Sequence, residues 1–357
     1  MRKGRFHDPI LRFLAQPPNL LSDNVSMRAW LMESFEGVDK MRLGEVPDPR
    51  PAAGEILLRI RFAALNPADA FLAQAMYPAK PALPHILGRD GVGEVIAAGP
   101  GVERPRVGEM VGVLRCDVGV ERWGTLAEKT VVPADCVVPI PAGWSLEETS
   151  GASLVFLTAW QALTQWSDPP APPPHGSVLL ITGASGGVGV ASLLLGKSMG
   201  LRVVALSRSA QKAAILKDLG ADFVFEPDDP NLRKKVSAAI APQKVDIAVD
   251  NVGGSLFNQV VALLGYGGRI SVVGRSGGPV PEFNTATLFF RRNRIGGVAV
   301  SDYTPELAQA TWKEMVERLA AMGKRPIVDR VFPFAEAKAA FARLAEGPMG
   351  KVLIAVS

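Results

Sequence analysis

The sequence predicts a mixed α/β protein of two domains: a β-rich domain of barrel or sandwich type and a doubly wound parallel sheet of Rossmann type. Three observations predict it. The chain has 357 residues, roughly two domains at about 150 residues each. Its apolar pattern changes near Trp144, from short alternating runs to apolar strands separated by helical stretches. A strand running into the glycine-rich turn Gly183 to Gly189 opens the second pattern.

In chain order, the run from Glu55 to Phe62 mixes alternation with β-branched residues, as a half-buried strand should. Short strands follow at Gly91 to Ile96, Met110 to Leu114 and Thr130 to Val132, punctuated by Pro and Gly. Ser145 is placed to cap a helix, with Glu147 and Glu148 in its first turn. The apolar segment from Ala152 to Leu163 extends the helical reading, and the proline run Pro169 to Pro174 is a stiff connector. Strands are then expected at 178–182, 202–206, 222–225, 245–250, 269–273 and 295–300, with helices at 187–199, 210–219, 231–239 and 255–264. Such alternation packs helices on both faces of a parallel sheet. The tail reads as a helix at 305–322, an extended piece at 326–332, a helix at 335–344 and a strand at 351–356 that returns to the first domain.

Composition excludes several classes. The chain is 48% hydrophobic and 21% charged, too apolar for a disordered protein. No apolar run approaches the roughly 20 residues that span a bilayer, so no membrane partner is expected. Much of the net charge of +4 lies on residues 1–26, where Arg2, Lys3, Arg5 and Arg12 face Asp8 and Asp23. That arm lacks a convincing signal-peptide pattern and is expected to be a flexible extension. The basic runs Arg233-Lys234-Lys235 and Arg291-Arg292-Asn293-Arg294 are short, so no nucleic-acid partner is expected. Cys116 and Cys136 build neither a disulfide framework nor a four-thiolate zinc site; they are expected to be packed thiols in reducing cytoplasm.

The turn Gly183-Ala184-Ser185-Gly186-Gly187-Val188-Gly189 carries the sharpest chemistry. Its glycines permit a tight turn and a close approach of backbone amides to a pyrophosphate, while the following helix offers its N-terminus to the negative charge. An NAD site usually carries an acid about 20 residues on, which binds the ribose 2′-hydroxyl. Here the second strand ends at Leu206-Ser207-Arg208-Ser209, with Lys212 beyond and no carboxylate. Ser207, Arg208 and Lys212 suit a 2′-phosphate, so NADPH is the expected cofactor.

With these pieces in place, the chain resembles the medium-chain dehydrogenase/reductase superfamily over nearly all of residues 27–357. The resemblance rests on Asn66-Pro67-Ala68-Asp69, Tyr77-Pro78, Gly88-Arg89-Asp90-Gly91-Val92-Gly93, Gly108-Glu109, Thr158 to Leu163, the glycine turn, Asp250-Asn251-Val252-Gly253 and Gly350-Lys351-Val352. It implies a GroES-like β-barrel catalytic domain at 27–149 and 300–357, with a Rossmann NADP-binding domain at 150–299 between them. Zinc enzymes of the superfamily use a Cys and a His-Glu pair where this chain has Asn66 and Arg89-Asp90. A guanidinium does not ligate zinc and a neutral amide does not replace a thiolate. The zinc-free branch resembles quinone oxidoreductases and 2-enoyl reductases. Ala70-Phe71 departs from the quinone reductases' Thr-Tyr pair, and Pro227 from a Tyr near the adenosine phosphate.

The resemblance implies Tyr77 and Asn66 as catalytic residues, and Thr158, Asn251, Gly274 and Lys351 as further cofactor contacts beside the glycine turn. Arg275, in the glycine-rich segment after the fifth strand, either meets cofactor or acceptor or is simply solvated. Tyr266 and Tyr303 read as structural. Hydride chemistry belongs to the nicotinamide, and the protein must align it and polarise the acceptor. Tyr77 either delivers a proton or lines the site with its ring; Asn66 either donates an amide or only turns the chain at Asn-Pro. The expected activity is zinc-independent, NADPH-dependent reduction of a quinone or a small α,β-unsaturated carbonyl. Alternatives are 2-enoyl thioester reduction and a silent NADPH-binding sensor or scaffold. A homodimer is expected, paired through the strand near 295–300.

Overall fold

The computed structural model describes residues 26–115, 117–280 and 282–357. The extension expected at 1–26, apart from Ser26, lies outside the described residues, as does Cys116. The strands are β1 (Ser26–Met32), β2 (Arg42–Pro47), β3 (Glu55–Ala64), β4 (His85–Ile86), β5 (Asp90–Ala98), β6 (Met110–Val113), β7 (Lys129–Pro133) and β8 (Val137–Pro139), then β9 (Val178–Ile181), β10 (Arg202–Leu206), β11 (Phe223–Phe225), β12 (Val245–Asp250), β13 (Leu264–Val272) and β14 (Arg294–Gly297), and finally β15 (Val328–Pro333) and β16 (Lys351–Ala355). Ser26 is the first residue of β1, one residue before the expected boundary.

The first domain is a GroES-like β-domain. Its larger sheet runs β15-β16-β3-β5-β6-β8, with β7 also on β3, and β2-β1-β4 form a second sheet. Trp30 N–H donates to the Leu126 carbonyl at 2.9 Å and links the second sheet to the chain entering β7. Alternation in β3 buries Ile56, Leu58 and Ile60 in one core with Leu31, Met32 and Ile86. The expected return of the chain end is realised: β16 pairs antiparallel with β3, Leu353 facing Ala64 and Ala355 facing Phe62.

The second domain is a six-stranded sheet in the order β11-β10-β9-β12-β13-β14, every neighbouring pair parallel. Counted within the domain this is 3-2-1-4-5-6, the doubly wound arrangement. Both faces are buried, so the strands read as continuous apolar runs. Leu179 and Ile181 face the helices Ser153–Thr164 and Gly187–Ser198, while Val178 and Leu180 face Leu232–Ile240 and Gly254–Leu263. The Ser145 cap forms as a reciprocal box: Ser145 Oγ accepts from Glu148 N–H at 3.1 Å, and Glu148 accepts from Ser145 N–H at 2.7 Å.

The helix Pro305–Ala321 belongs with this second domain. Thr304 caps it, and its stripe Ala308, Trp312, Met315 and Leu319 packs into the core containing Leu193 and Leu195. The return to the β-domain, expected from residue 300, therefore begins after this helix, with β15. Among the described residues, no helix is long and apolar enough to cross a membrane.

His85 lies in β4, only 1% exposed, and its Nε2 has no hydrogen-bond partner. Burial lowers its pKa to about 4, against a hydrogen bond with the Gly119 backbone. A depressed imidazole contributes stability that is full above its unfolded pKa near 6.5 and is lost as pH falls through about 4. The loss across this window should be about 3 kcal/mol. Urea unfolding of parent and His85→Gln at neutral and acid pH should show a shallower acid decline in the variant; parallel declines would remove His85 as the cause.

Candidate active site

The glycine turn follows β9. Gly183 takes a φ of +56°, open to glycine at little cost, and a Cβ on Gly189 would stand 2.4 Å from the Gly183 carbonyl oxygen. The helix Gly187–Ser198 begins at Gly186 with no side-chain cap, which leaves its first N–H groups and its dipole for an anion. Ala184 is buried, its N–H on the Leu206 carbonyl at 3.2 Å. Ser185 accepts from Gly350 N–H at 2.8 Å, and Gly186 bridges Gly350, which fastens the turn to the start of β16. Val188 packs against the core of the second domain.

Ser207 and Arg208 stand at the end of β10, beside the turn. Arg208 is exposed, and Ser209 caps the next helix by accepting from Lys212 N–H. Lys212 donates one of its three ammonium hydrogens to the Gly347 carbonyl across the domain boundary. Asn251 is locked by Thr182, whose hydroxyl accepts from Asn251 N–H at 2.9 Å while its carbonyl accepts from Nδ2 at 2.8 Å. Gly274 lies so close that a Cβ would sit 2.5 Å from the Asn251 carbonyl oxygen. The Thr158 hydroxyl donates to the Leu154 carbonyl at 2.7 Å, within its own helix.

Between the domains lies a buried polar hub on Asp90, the first residue of β5 and 0% exposed. Asp90 Oδ2 accepts from Asn66 Nδ2 at 2.9 Å and from Lys351 Nζ at 3.1 Å. Its Oδ1 accepts from the Ser153 hydroxyl at 3.1 Å and Leu154 N–H at 3.2 Å, at the start of a helix where a carboxylate is favoured. Lys351 Nζ also donates to Asn66 Oδ1 at 2.6 Å. The Lys351 stem runs under the glycine turn, its Cδ 3.0 Å from where a Gly187 Cβ would stand. Asn66, expected to face the acceptor, is spent on this hub, its amide also reaching the Ala64 carbonyl at 3.4 Å. It orients Lys351 and Asp90 instead.

A second cluster adjoins the first. Asn66 and Asp69 form the ends of a capping box at the helix Pro67–Ala73, with Asn66 N–H on Asp69 Oδ2 at 2.8 Å. Arg89 Nε lies 3.5 Å from Asp69 Oδ1, both side chains buried. Burial pushes the Asp69 carboxyl up to about 6, against the pull of Arg89. Arg89 Nη1 donates to the Tyr77 hydroxyl at 3.3 Å, and the guanidinium lies 4.9 Å from that ring's centre. Burial opposes the Arg89 charge, but Asp69 and Tyr77 outweigh it and raise its pKa. From the other domain, Arg275 reaches the Met76 carbonyl at 3.5 Å and lies over Phe71, so the segment after β13 closes on residues beside Tyr77. Tyr303 is buried in the second domain's core, as a structural residue should be.

Comparison with known proteins matches both halves. Residues 52–142 match the alcohol dehydrogenase GroES-like domain, and residues 187–321 the zinc-binding dehydrogenase model. The synaptic vesicle membrane protein VAT-1 homolog of Mus musculus is 30% identical over 351 residues, covering 92% of this chain and 83% of the relative. The quinone oxidoreductase of Sus scrofa is 26% identical over 331 residues, covering 92% and 97%. A solved structure described as an NAD-dependent alcohol dehydrogenase superposes with a TM-score of 0.84 at 30% identity, covering 93% of this chain and all of that one. The chain belongs to the medium-chain dehydrogenase/reductase superfamily, in its quinone oxidoreductase-like branch. It is thus an oxidoreductase of a nicotinamide-dinucleotide-binding family.

Four residues of this oxidoreductase's candidate site are not singled out as site residues by the sequence: Asp69, Arg89, Asp90 and Ser153. Arg89 and Asp90 read there only as missing zinc ligands. The available signal was charge at Asp69, Arg89 and Asp90 inside segments otherwise apolar, since buried charges need partners. Removing one member of a buried ion pair commonly costs about 3–5 kcal/mol. Lys351→Met should therefore lower unfolding free energy by about that amount, and adding Asp90→Asn should recover part of it. A denaturant series showing no loss for Lys351→Met would refute the hub's structural weight.

Proposed function

We propose that this protein is a zinc-independent, NADPH-dependent reductase that transfers hydride to a quinone or a small α,β-unsaturated carbonyl. The observation that carries the reading is the Asp90 hub. Both Asp90 oxygens are engaged within the hub, and Asn66 and Arg89-Asp90 stand where the zinc enzymes that this chain resembles need their ligands. Among the described residues, no three of His, Cys, Asp and Glu gather into a metal-binding group. The residues present do not fit zinc.

They do fit a dinucleotide. The bare turn at Gly183–Gly189 and the uncapped helix would hold its pyrophosphate, and Ser207 and exposed Arg208 its 2′-phosphate. When bound, the reduced dinucleotide supplies the hydride. Asn251 and Gly274 shape the floor at the strand ends. Lys351 and Asn66 hold the turn against the β-domain, and Arg275 draws the two domains together over the cleft. Tyr77 accepts a hydrogen bond from Arg89, which leaves its own hydrogen to donate to an acceptor. The chain's cysteine usage supports a reducing, cytoplasmic setting.

The test is stopped-flow mixing of NADPH or NADH with quinones, enones and 2-enoyl thioesters, before and after chelation. NADPH oxidation by a quinone or enone, unchanged by chelation, is expected. Faster turnover of enoyl thioesters would favour that alternative. Tight NADPH binding without oxidation by any acceptor would make the protein a sensor and sink the reading. In the same assay Arg208→Ala should weaken NADPH about 10–100-fold and leave NADH nearly unchanged, since only NADPH carries the phosphate. Equal losses would remove Arg208 from phosphate recognition.

The reading includes a homodimer. β14 is the edge strand of the sheet, flanked by Phe289 and Phe290, 67% and 74% exposed. An open edge beside exposed aromatic side chains suits pairing with a second copy about a two-fold axis. Sedimentation should give a dimer that Phe290→Asp dissociates; a monomeric parent would overturn this assembly.

A further inference from the structure

We propose that Arg89 is a catalytic residue of this site: its Nη2 binds the oxygen of a neutral conjugated acceptor and stabilises the negative charge that gathers there during reduction. The inference rests on the reductase reading above and deepens it by naming the group that meets the acceptor and the charge class the site accepts.

The guanidinium is built for a missing partner. The Arg89 side chain is 8% exposed. Nη1 is used by Tyr77, and Nε faces Asp69 at 3.5 Å without hydrogen-bond geometry. Among the described residues, Nη2 has no hydrogen-bond partner. A buried guanidinium donor left unmade is costly, so one persists where a ligand completes it. Its surroundings locate that ligand. Tyr77 stands on one side, Asp90 with its hub is the next residue, and Arg275 from the dinucleotide-binding domain reaches the carbonyl of Met76, immediately before Tyr77. An acceptor seated against Tyr77 would lie beside this guanidinium, and its oxygen would reach Nη2 once the side chains that cover that atom give way.

The charge balance selects the acceptor. Arg89 and Lys351 face Asp69 and Asp90, all four side chains buried, so the cluster sums to zero. A carboxylate carried away from the Arg89 donor would bring an unpaired negative charge into this dry site, and burial already raises the Asp69 carboxyl to about 6. A neutral acceptor enters at no such cost, and charge develops on its oxygen only in the transition state, beside a preorganised cation. The step balances. Hydride from the reduced dinucleotide forms a C–H bond at the β-carbon, the C=C π bond breaks, and its electron pair moves through the conjugated system to oxygen. The resulting enolate oxygen is held by Nη2–H. Its α-carbon then takes a proton from water or from Tyr77, which is reprotonated by solvent; the acceptor is reduced by two electrons and the dinucleotide oxidised by two. Arg89 keeps its proton throughout.

The experiment uses Arg89→Met and, because a lone buried Asp69 could unfold the protein, the paired variant Arg89→Met with Asp69→Asn. Two readouts are taken. The first is kcat, KM and NADPH affinity with a neutral enone and with a carboxylate-bearing enone. The second is binding of para-nitrophenol, whose phenolate mimics an enolate oxygen and reports ionisation by its absorbance, and it requires no turnover. The expected result is a kcat loss of about 10²–10³-fold on the neutral enone, with NADPH affinity within about twofold of the parent. The parent should bind para-nitrophenol as the phenolate, and both variants should weaken it at least about tenfold. Parent-like kcat and phenolate binding in a folded variant would overturn the proposal. So would an Arg89-dependent preference for the carboxylate-bearing enone. Arg89-dependent phenolate binding without reduction of any acceptor would instead topple the reductase reading and leave the oxygen site standing.

Discussion

The structure turns on one buried carboxylate. Asp90 is wholly removed from water, and an isolated carboxylate there would be costly. Its charge is met by an amide, an ammonium, a hydroxyl and a backbone N–H drawn from three other segments: the Asn66 turn, the start of the helix Ser153–Thr164, and β16. Lys351 lies 261 residues from Asp90 in the chain. The C-terminal strand must therefore dock before the hub is satisfied, and its antiparallel pairing with β3 sets Lys351 at the right height.

The same strand carries the constraint into the second domain. Gly350 donates to Ser185 and bridges Gly186, and the Lys351 stem fills the space beneath Gly187. The phosphate turn is thereby registered against the β-domain by backbone bonds rather than by a flexible linker. Lys212 on Gly347 and Arg275 on Met76 add two side-chain ties across the boundary. Rigid support of this kind matters for hydride transfer, where an ångström of misplacement costs rate steeply.

Arg89 and Lys351 each sit beside a carboxylate, so the site keeps strong local fields with no net charge. The two pairs differ in how completely they are satisfied. Lys351 and Asp90 are hydrogen-bonded on several sides, which suits a scaffold. Arg89 retains an unmade donor, which suits recognition. Adjacent residues in one strand entry thus carry different work.

The sequence alone determined the fold class, the phosphate turn and the return of the last strand. These are local matters. Alternating apolar residues report strands, the doubled apolar faces of β9 and β12 report a sandwiched parallel sheet, glycine at 183 reports a left-handed φ, and glycine at 189 a backbone that admits no Cβ. Tertiary structure decided which polar groups meet. Asn66 reads equally as a turn residue or a donor until Asp90 and Lys351 arrive beside it. Lys212 meets the Gly347 carbonyl, 135 residues away, across the domain boundary. Helix Pro305–Ala321 follows the expected boundary at residue 300, yet its apolar stripe fits the second domain's core. Periodicity is written within a few residues of chain, whereas desolvation and partner choice depend on segments that only folding brings together.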